Sequence, residues 1–182
     1  MELVTDLSNG QIKVVKALCL DLDGTVRRSK SGETFIKNFN DIELIPGVEK
    51  IIWKYRNFGY IIVAISNQAG VAHGFKLPME IEAEMDATRK LFTNNPFHIM
   101  KWCYHDGKGK IEPYNIRSLF RKPNIGMLAE CETDAFKYGM EIDWDKSLFV
   151  GDRPEDEQCA NNAGIPFRYI DNFLNEPHTF EV

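Results

Sequence analysis

Val14-Val15-Lys16-Ala17-Leu18-Cys19-Leu20-Asp21-Leu22-Asp23-Gly24-Thr25 is an apolar run that ends in carboxylates and a turn. Its β-branched start and its apolar character, broken only by Lys16, predict a buried strand over Val14–Leu20 that stops at Asp21; Gly24-Thr25 predicts the turn. Working outward, residues 26–43 are polar and mixed and read as a loop or small flap. Pro46-Gly47 opens a helix with Val48, Ile51, Ile52 and Tyr55 on one face and Gly59 just past its end. Tyr60–Ile65 is a second strand, apolar throughout, as a strand covered on both faces should be. The stretch 67–121 holds a helix over about Pro78–Phe92 (Ile81, Met85 and Leu91 inward), a short strand at Ile99–Cys103 and an irregular basic loop. A helix from about Asn124 to Tyr138 is closed by Gly139. Ser147–Val150 is a third strand of the same kind, ending in Gly151-Asp152. A helix over Pro154–Ala163 stops at Gly164, and Phe167–Ile170 is a last strand. Strands alternating with helices predict an α/β, Rossmann-like parallel sheet with helices on both faces. In such sheets ligands sit outside the carboxyl ends of the strands, so chemistry is expected just after residues 20, 65 and 150.

The composition agrees. At 182 residues the chain predicts one domain over 1–182, with its core at about 14–170. Hydrophobic residues at 43% and charged residues at 27% exclude a disordered chain. The longest apolar run, Tyr60–Ile65, falls far short of the about 20 residues a membrane span needs. Met1–Gly10 carries Glu2 and Asp6 and no apolar core of a signal peptide. Cys19, Cys103, Cys131 and Cys159 are too few for a disulfide scaffold and fit a reduced, cytoplasmic setting. A net charge of −5 argues against a general nucleic-acid binder but leaves room for a local basic site.

Each predicted strand end carries polar groups: Asp21-Leu22-Asp23-Gly24-Thr25, then Ser66-Asn67-Gln68, then Gly151-Asp152 with Asp156 four residues on. Arg121-Lys122-Pro123 stands before the helix that starts near Asn124. Singly, each piece has a plain structural explanation as a turn or a helix start; together they deliver functional groups to one edge of one sheet. In this order they resemble the four motifs of haloacid dehalogenase (HAD) superfamily phosphatases. Ser66–Gly74, Arg121-Lys122-Pro123 and Gly126-Met127-Leu128 are similar to subclass IIIA, which holds D,D-heptose bisphosphate phosphatases, histidinol-phosphate phosphatases and polynucleotide 3′-phosphatases.

The resemblance implies a HAD-like fold and a Mg²⁺-dependent phosphomonoester hydrolase. Asp21 would be the nucleophile and form an aspartyl-phosphate. Asp23 would protonate the leaving alkoxide and then deprotonate the hydrolytic water. Lys122 would balance charge. Asp21, Asp152 and the backbone carbonyl of Asp23 would hold Mg²⁺, a hard cation that takes one or two carboxylates with waters and phosphate. Ser66, Asn67 (through its N–H), Gln68, Arg121 and Arg153 would contact substrate. Asp156 reads three ways: a metal ligand through water, an orienter of Lys122, or an acid in the first turn of a helix.

About twenty residues separate Asp23 from the next helix, which leaves no room for a large cap domain and predicts an open site. Two basic segments, Arg27, Arg28 and Lys30, and Lys108, Lys110, Arg117, Arg121 and Lys122, are expected to flank its mouth. Trp102, Tyr104, Tyr114 and Phe120 interleave the second and could stack on bases; the other reading is a solvated loop whose aromatics pack on the core. Cys103-x-His105 matches half of the zinc loop of the heptose and histidinol enzymes, but Ser118 and Phe120 stand in the two remaining cysteine places, so a zinc site is expected to be absent. That departure moves weight toward a nucleic-acid 3′ end as substrate. Phe39–Val48, similar to the heptose family, and Arg153 favour a small sugar bisphosphate, which leads. A HAD-fold binding module without catalysis is the reading of another class.

Overall fold

The computed structural model describes residues 12–178. The opening apolar run is two strands, not one: β1 (Lys13–Val15) and β2 (Ala17–Leu20), parted at Lys16. The ammonium of Lys16 lies over the Tyr60 ring, 4.9 Å from its centroid, instead of entering the interior. β1 pairs with β7 (Met140–Ile142), while β2 runs in the middle of a five-stranded sheet. The spatial order of that sheet is β6 (Ile99–Cys103), β5 (Ile61–Asn67), β2, β8 (Leu148–Gly151) and β9 (Phe167–Tyr169), every pair parallel.

Because side chains alternate along a strand, Ala17 and Cys19 of β2 and Ile61, Val63 and Ile65 of β5 face one way. There they meet α3 (Gly126–Lys137) and α4 (Pro154–Ala163) through Met127, Leu128, Cys131 and Cys159. Leu18, Leu20, Ile62 and Ala64 face the other way, onto α1 (Val48–Asn57), α2 (Pro78–Lys90) and α5 (Ile170–Asn175), through Val48, Ile52, Ile81, Met85 and Phe173. Each such aliphatic side chain, fully withdrawn from water, contributes about 1.5–3 kcal/mol. The parallel α/β sheet with helices on both faces is thus as expected. Among the described residues no large cap interrupts it: residues 21–47 hold one hairpin, and 68–98 one helix. No helix among them is long and apolar enough to cross a membrane.

Some expectations need correction. Residues 26–43, read as a loop or flap, contain the antiparallel hairpin β3 (Arg27–Ser29) and β4 (Ile42–Leu44). β7 lies where no element was expected, and Ile170 begins α5 instead of ending a strand. Three-residue strands carry too little periodicity to be seen. The segment from 171, outside the expected core of about 14–170, is partly core: Phe173 is buried and Tyr55 Oη lies 3.2 Å from His178 Nδ1. The expectation for Met1–Gly10 falls outside the described residues. The four cysteines are free thiols, all buried.

One contact at the sheet edge predicts a pH effect. The Ile62 N–H donates to His98 Nδ1 (2.8 Å), which requires a lone pair on that nitrogen. Burial, together with the Arg56 charge, pushes His98 down to about 4. From the unfolded value of about 6.5 down to that folded value, the unfolded chain takes up a proton that the folded ring refuses, so stability falls as pH falls through this window. Urea unfolding at about pH 7.5 and about pH 5 should differ by roughly 1–2 kcal/mol more in the wild type than in His98→Asn, allowing for partial exposure. An identical pH dependence in both proteins would refute the assignment.

Candidate active site

The ends of β2, β5 and β8 are adjacent in the sheet, which brings the three motifs to one edge. The Asp21 N–H continues the parallel ladder by donating to Val150 O (2.9 Å), setting Asp21 beside Gly151-Asp152. Lys122 arrives from the loop before α3. Asn67, at the tip of β5, clasps its backbone twice: Oδ1 accepts from Lys122 N–H (3.0 Å) and Nδ2 donates to Lys122 O (3.1 Å).

Held this way, the Lys122 ammonium is buried between two carboxylates, 2.5 Å from Asp21 Oδ1 and 2.6 Å from Asp156 Oδ1, and donates to Ile65 O at 3.1 Å. Burial alone would lower its pKa; Asp21 and Asp156 outweigh burial and raise it, so the lysine stays charged. Asp156 Oδ2 also accepts from the Arg153 N–H (3.1 Å) at the start of α4. Two of the three readings of Asp156 therefore hold together: it sits in the first turn of a helix and it orients Lys122. Asp21 is pushed up to about 7 by burial, against the opposing charge of Lys122. Asp152 is also raised, by burial first, with Arg153 opposing.

Asp23 stands on the opposite footing. Its side chain keeps 35% of its exposure, yet both oxygens are occupied: Arg27 Nε donates to Oδ1 (2.7 Å) and Gln68 Nε2 to Oδ2 (2.6 Å). Partial burial would raise its pKa; the Arg27 charge and these hydrogen bonds win and lower it. Gln68 Nε2 also donates to Ser66 Oγ (2.8 Å), so Ser66 and Gln68, both buried, form one chain with Asp23.

The residues fit a hard divalent cation. Carboxylate oxygens of Asp21, Asp152 and Asp156 lie within 4.8 Å of one another, an all-oxygen donor set. Asp156 commits both oxygens, Oδ1 to Lys122 and Oδ2 to the Arg153 N–H, whereas Asp21 commits Oδ1 to Lys122. Space beside Asp21 and Asp152 depends on Gly24, whose φ is +94° and whose added Cβ would lie 2.2 Å from Asp152 Oδ2. Gly24→Ala therefore meets both backbone strain, about 1–2 kcal/mol, and a displaced carboxylate. Its Mg²⁺ affinity, read by titration calorimetry, should fall at least ~10-fold; unchanged affinity would show that Asp152 does not serve the ion from this position.

The basic segments need correction. Arg27 does not flank the mouth: it is fully buried beneath Asp23. Arg28 is exposed and paired with Glu43 (2.7 Å). Arg121 turns to the loop itself, 3.3 Å from Asp106 Oδ2, which also meets His73 Nε2 at 3.2 Å. Trp102, Tyr104 and Tyr114 pack against the core instead of standing free, with Trp102 Nε1 donating to Tyr104 Oη (2.9 Å) and Tyr104 Oη to Glu82 (2.5 Å). Phe120 is 40% exposed. Cys103 Sγ and His105 Nδ1 are 3.8 Å apart. Arg153 is half-exposed beside Asp152, 3.7 Å from its Oδ2. Sequence reasoning missed the link between Arg27 and Asp23; the i, i+4 spacing of an acid and a base around a Gly-Thr turn was its only local signal.

Fold and site together define a HAD-type phosphatase. The chain belongs to the polynucleotide kinase 3 phosphatase family, whose model matches residues 16–164. It is 30% identical, over 82% of its length and 75% of the relative's, to the D-glycero-D-manno-heptose-1,7-bisphosphate 7-phosphatase of Chlorobaculum tepidum. A solved structure from Mesorhizobium loti, assigned as a HAD-like phosphatase, superposes with a TM-score of 0.70 at 26% identity, covering 85% of this chain and 71% of that one. A D,D-heptose 1,7-bisphosphate phosphatase from B. bronchiseptica, solved with magnesium and phosphate, shares the fold with a TM-score of 0.65 at 24% identity, covering 84% and 79%.

Proposed function

We propose that this chain is a Mg²⁺-dependent phosphomonoesterase that works through an aspartyl-phosphate and acts on a sugar bisphosphate of the D,D-heptose 1,7-bisphosphate type. The observation that carries the reaction is the pairing of Asp21 with buried Lys122 beside Asp152 at one sheet edge. Asp21, Asp152 and the Asp23 carbonyl would hold Mg²⁺, which when bound offsets the negative charge that keeps a carboxylate from approaching a phosphate. Asp21 Oδ then attacks phosphorus in line as the bond to the leaving oxygen breaks, and Asp23, which takes up a proton when the anionic phosphate lies beside it, delivers that proton to the leaving oxygen. Lys122 holds positive charge against the nucleophile. Ser66, the Asn67 N–H and Gln68 line the phosphoryl site, with Arg153 toward the rest of the substrate and Arg121 held by Asp106 on the neighbouring loop.

The sugar assignment is supported by the heptose bisphosphatase relatives, and also by the packing of Trp102, Tyr104 and Tyr114, three of the rings that could have stacked on bases, against the core. The second reading, a 3′-phosphorylated nucleic-acid end, is favoured by the family description. Only Cys103 and His105 remain of the zinc loop, and two donors do not make a zinc site. The four free thiols support a reducing cytoplasm.

Phosphate release decides among these readings. D,D-heptose 1,7-bisphosphate, histidinol phosphate and a 3′-phosphorylated oligonucleotide are each assayed with Mg²⁺ and with EDTA. Activity greatest on the heptose bisphosphate and abolished by EDTA is expected. Preference for the oligonucleotide, lost steeply between low and moderate salt, establishes the second reading; no release from any of them sinks both.

A further inference from the structure

We propose that Arg27 is a positioning residue for proton transfer at Asp23, an inference that rests on the phosphomonoesterase reading above. Arg27 has no exposed surface, whereas Asp23 retains 35% of its side-chain exposure. Arg27 therefore cannot touch substrate; whatever it does for the reaction passes through Asp23. The chain bends sharply to bring the two together: Arg27 N–H donates to Leu22 O and Gly24 N–H to Arg27 O, each at 2.9 Å. The guanidinium fork is divided. Its Nε holds Asp23 Oδ1 at 2.7 Å, while one terminal nitrogen reaches α2, at 3.1 Å from Glu84 O and 2.5 Å from Thr88 Oγ1. From the other side Gln68, just past β5, holds Oδ2 at 2.6 Å.

The Asp23 carboxylate is thus gripped at both oxygens by groups from different parts of the fold, and one of them is anchored to a helix. Two grips fix the plane of the carboxyl group and leave each oxygen one further lone pair, a place a proton can occupy, on a side chain that is 35% exposed. A buried arginine is costly to maintain, and folding alone would be served as well by an apolar side chain spanning the hairpin and α2. When the P–O bond to the leaving group breaks and the Asp21–phosphorus bond forms, the Asp23 proton passes to the leaving oxygen. Misorientation of the carboxyl group slows that transfer only when the leaving oxygen needs the proton.

This yields a test that a merely structural role would not satisfy. p-Nitrophenyl phosphate and p-nitrobenzyl phosphate are nearly the same shape; the first releases a stable phenolate, the second an alkoxide that must be protonated. In Arg27→Gln, the single-turnover rate of leaving-group release, which precedes the water attack common to both esters, should fall on the order of 100-fold for the benzyl ester, with that rate for the phenyl ester and both KM values within about 3-fold of wild type. Thr88→Val, which removes one of the two contacts on α2 without touching Asp23, should show the same selectivity at roughly 3–10-fold, and it decides the matter alone if Arg27→Gln does not fold. Equal loss on both esters, or no loss on either, in a folded variant overturns the inference. If the wild type releases phosphate from neither ester, nor from the panel above, the phosphatase reading itself has failed and the inference falls with it.

Discussion

Asp21→Asn should leave the protein folded and remove its turnover, by at least ~10⁴-fold in kcat. The substitution keeps the shape of the side chain and exchanges one carboxylate oxygen for an amide nitrogen, which cannot attack phosphorus and carries no charge for a cation. Lys122 keeps its second partner, Asp156 at 2.6 Å, so the buried ammonium is not orphaned and the melting temperature should hold within a few degrees. Phosphate release and thermal melting on the same preparation read both halves. Normal Mg²⁺-dependent release from this variant would eliminate Asp21 as nucleophile and with it the proposed mechanism.

Lys122→Met should damage stability and activity together. Lys122 sits between two buried carboxylates, and Asp156 is as enclosed as the lysine itself. Methionine fills much of the volume and supplies no charge, so Asp21 and Asp156 are left facing each other unpaired. Removing one partner of a buried ion pair costs about 3–5 kcal/mol, and here two acids lose the same cation. The loss should be greatest at neutral pH without Mg²⁺ and should shrink in acid, where Asp21 takes up a proton and the repulsion between the two is relieved. Urea unfolding across pH measures this. A loss below about 1 kcal/mol at neutral pH would mean that the ion pairs contribute only as much as exposed ones do. The two variants separate roles that one deletion would blend: Asp21→Asn removes chemistry and spares the scaffold, whereas Lys122→Met removes charge balance from both.

Much of this architecture was legible along the chain. Continuous apolar strands such as Tyr60–Ile65, helix starts at Pro78 and Pro154, and stops at Gly59, Gly139 and Gly164 are local signals, and local physics sets them: left-handed glycines end helices, with φ of 82°, 70° and 71° here. Acids at the ends of apolar strands, placed by the parallel-sheet rule at one edge, pointed to the site before any contact was known. The charged and aromatic residues between elements were another matter. Arg27 looked like surface because arginine normally is, yet a tight turn folds it under Asp23. Trp102, Tyr104 and Tyr114 could have faced solvent or core, and only the closing of the loop over α2 decides for the core. Asp156 had three plausible tasks along the chain, and its partner Lys122 lies 34 residues away.

The physical division is between interactions set by neighbours in sequence and interactions set by what folding brings near. Periodicity, capping and turn chemistry act over a few residues, so they fixed the order of strands and helices and the edge where the acids gather. The ion pair between Lys122 and Asp21, 101 residues apart, the grip of Gln68 on Asp23 and the burial of Arg27 exist only once the sheet is assembled. Their energies depend on how far water is excluded around each charge, a quantity that no local stretch of chain contains.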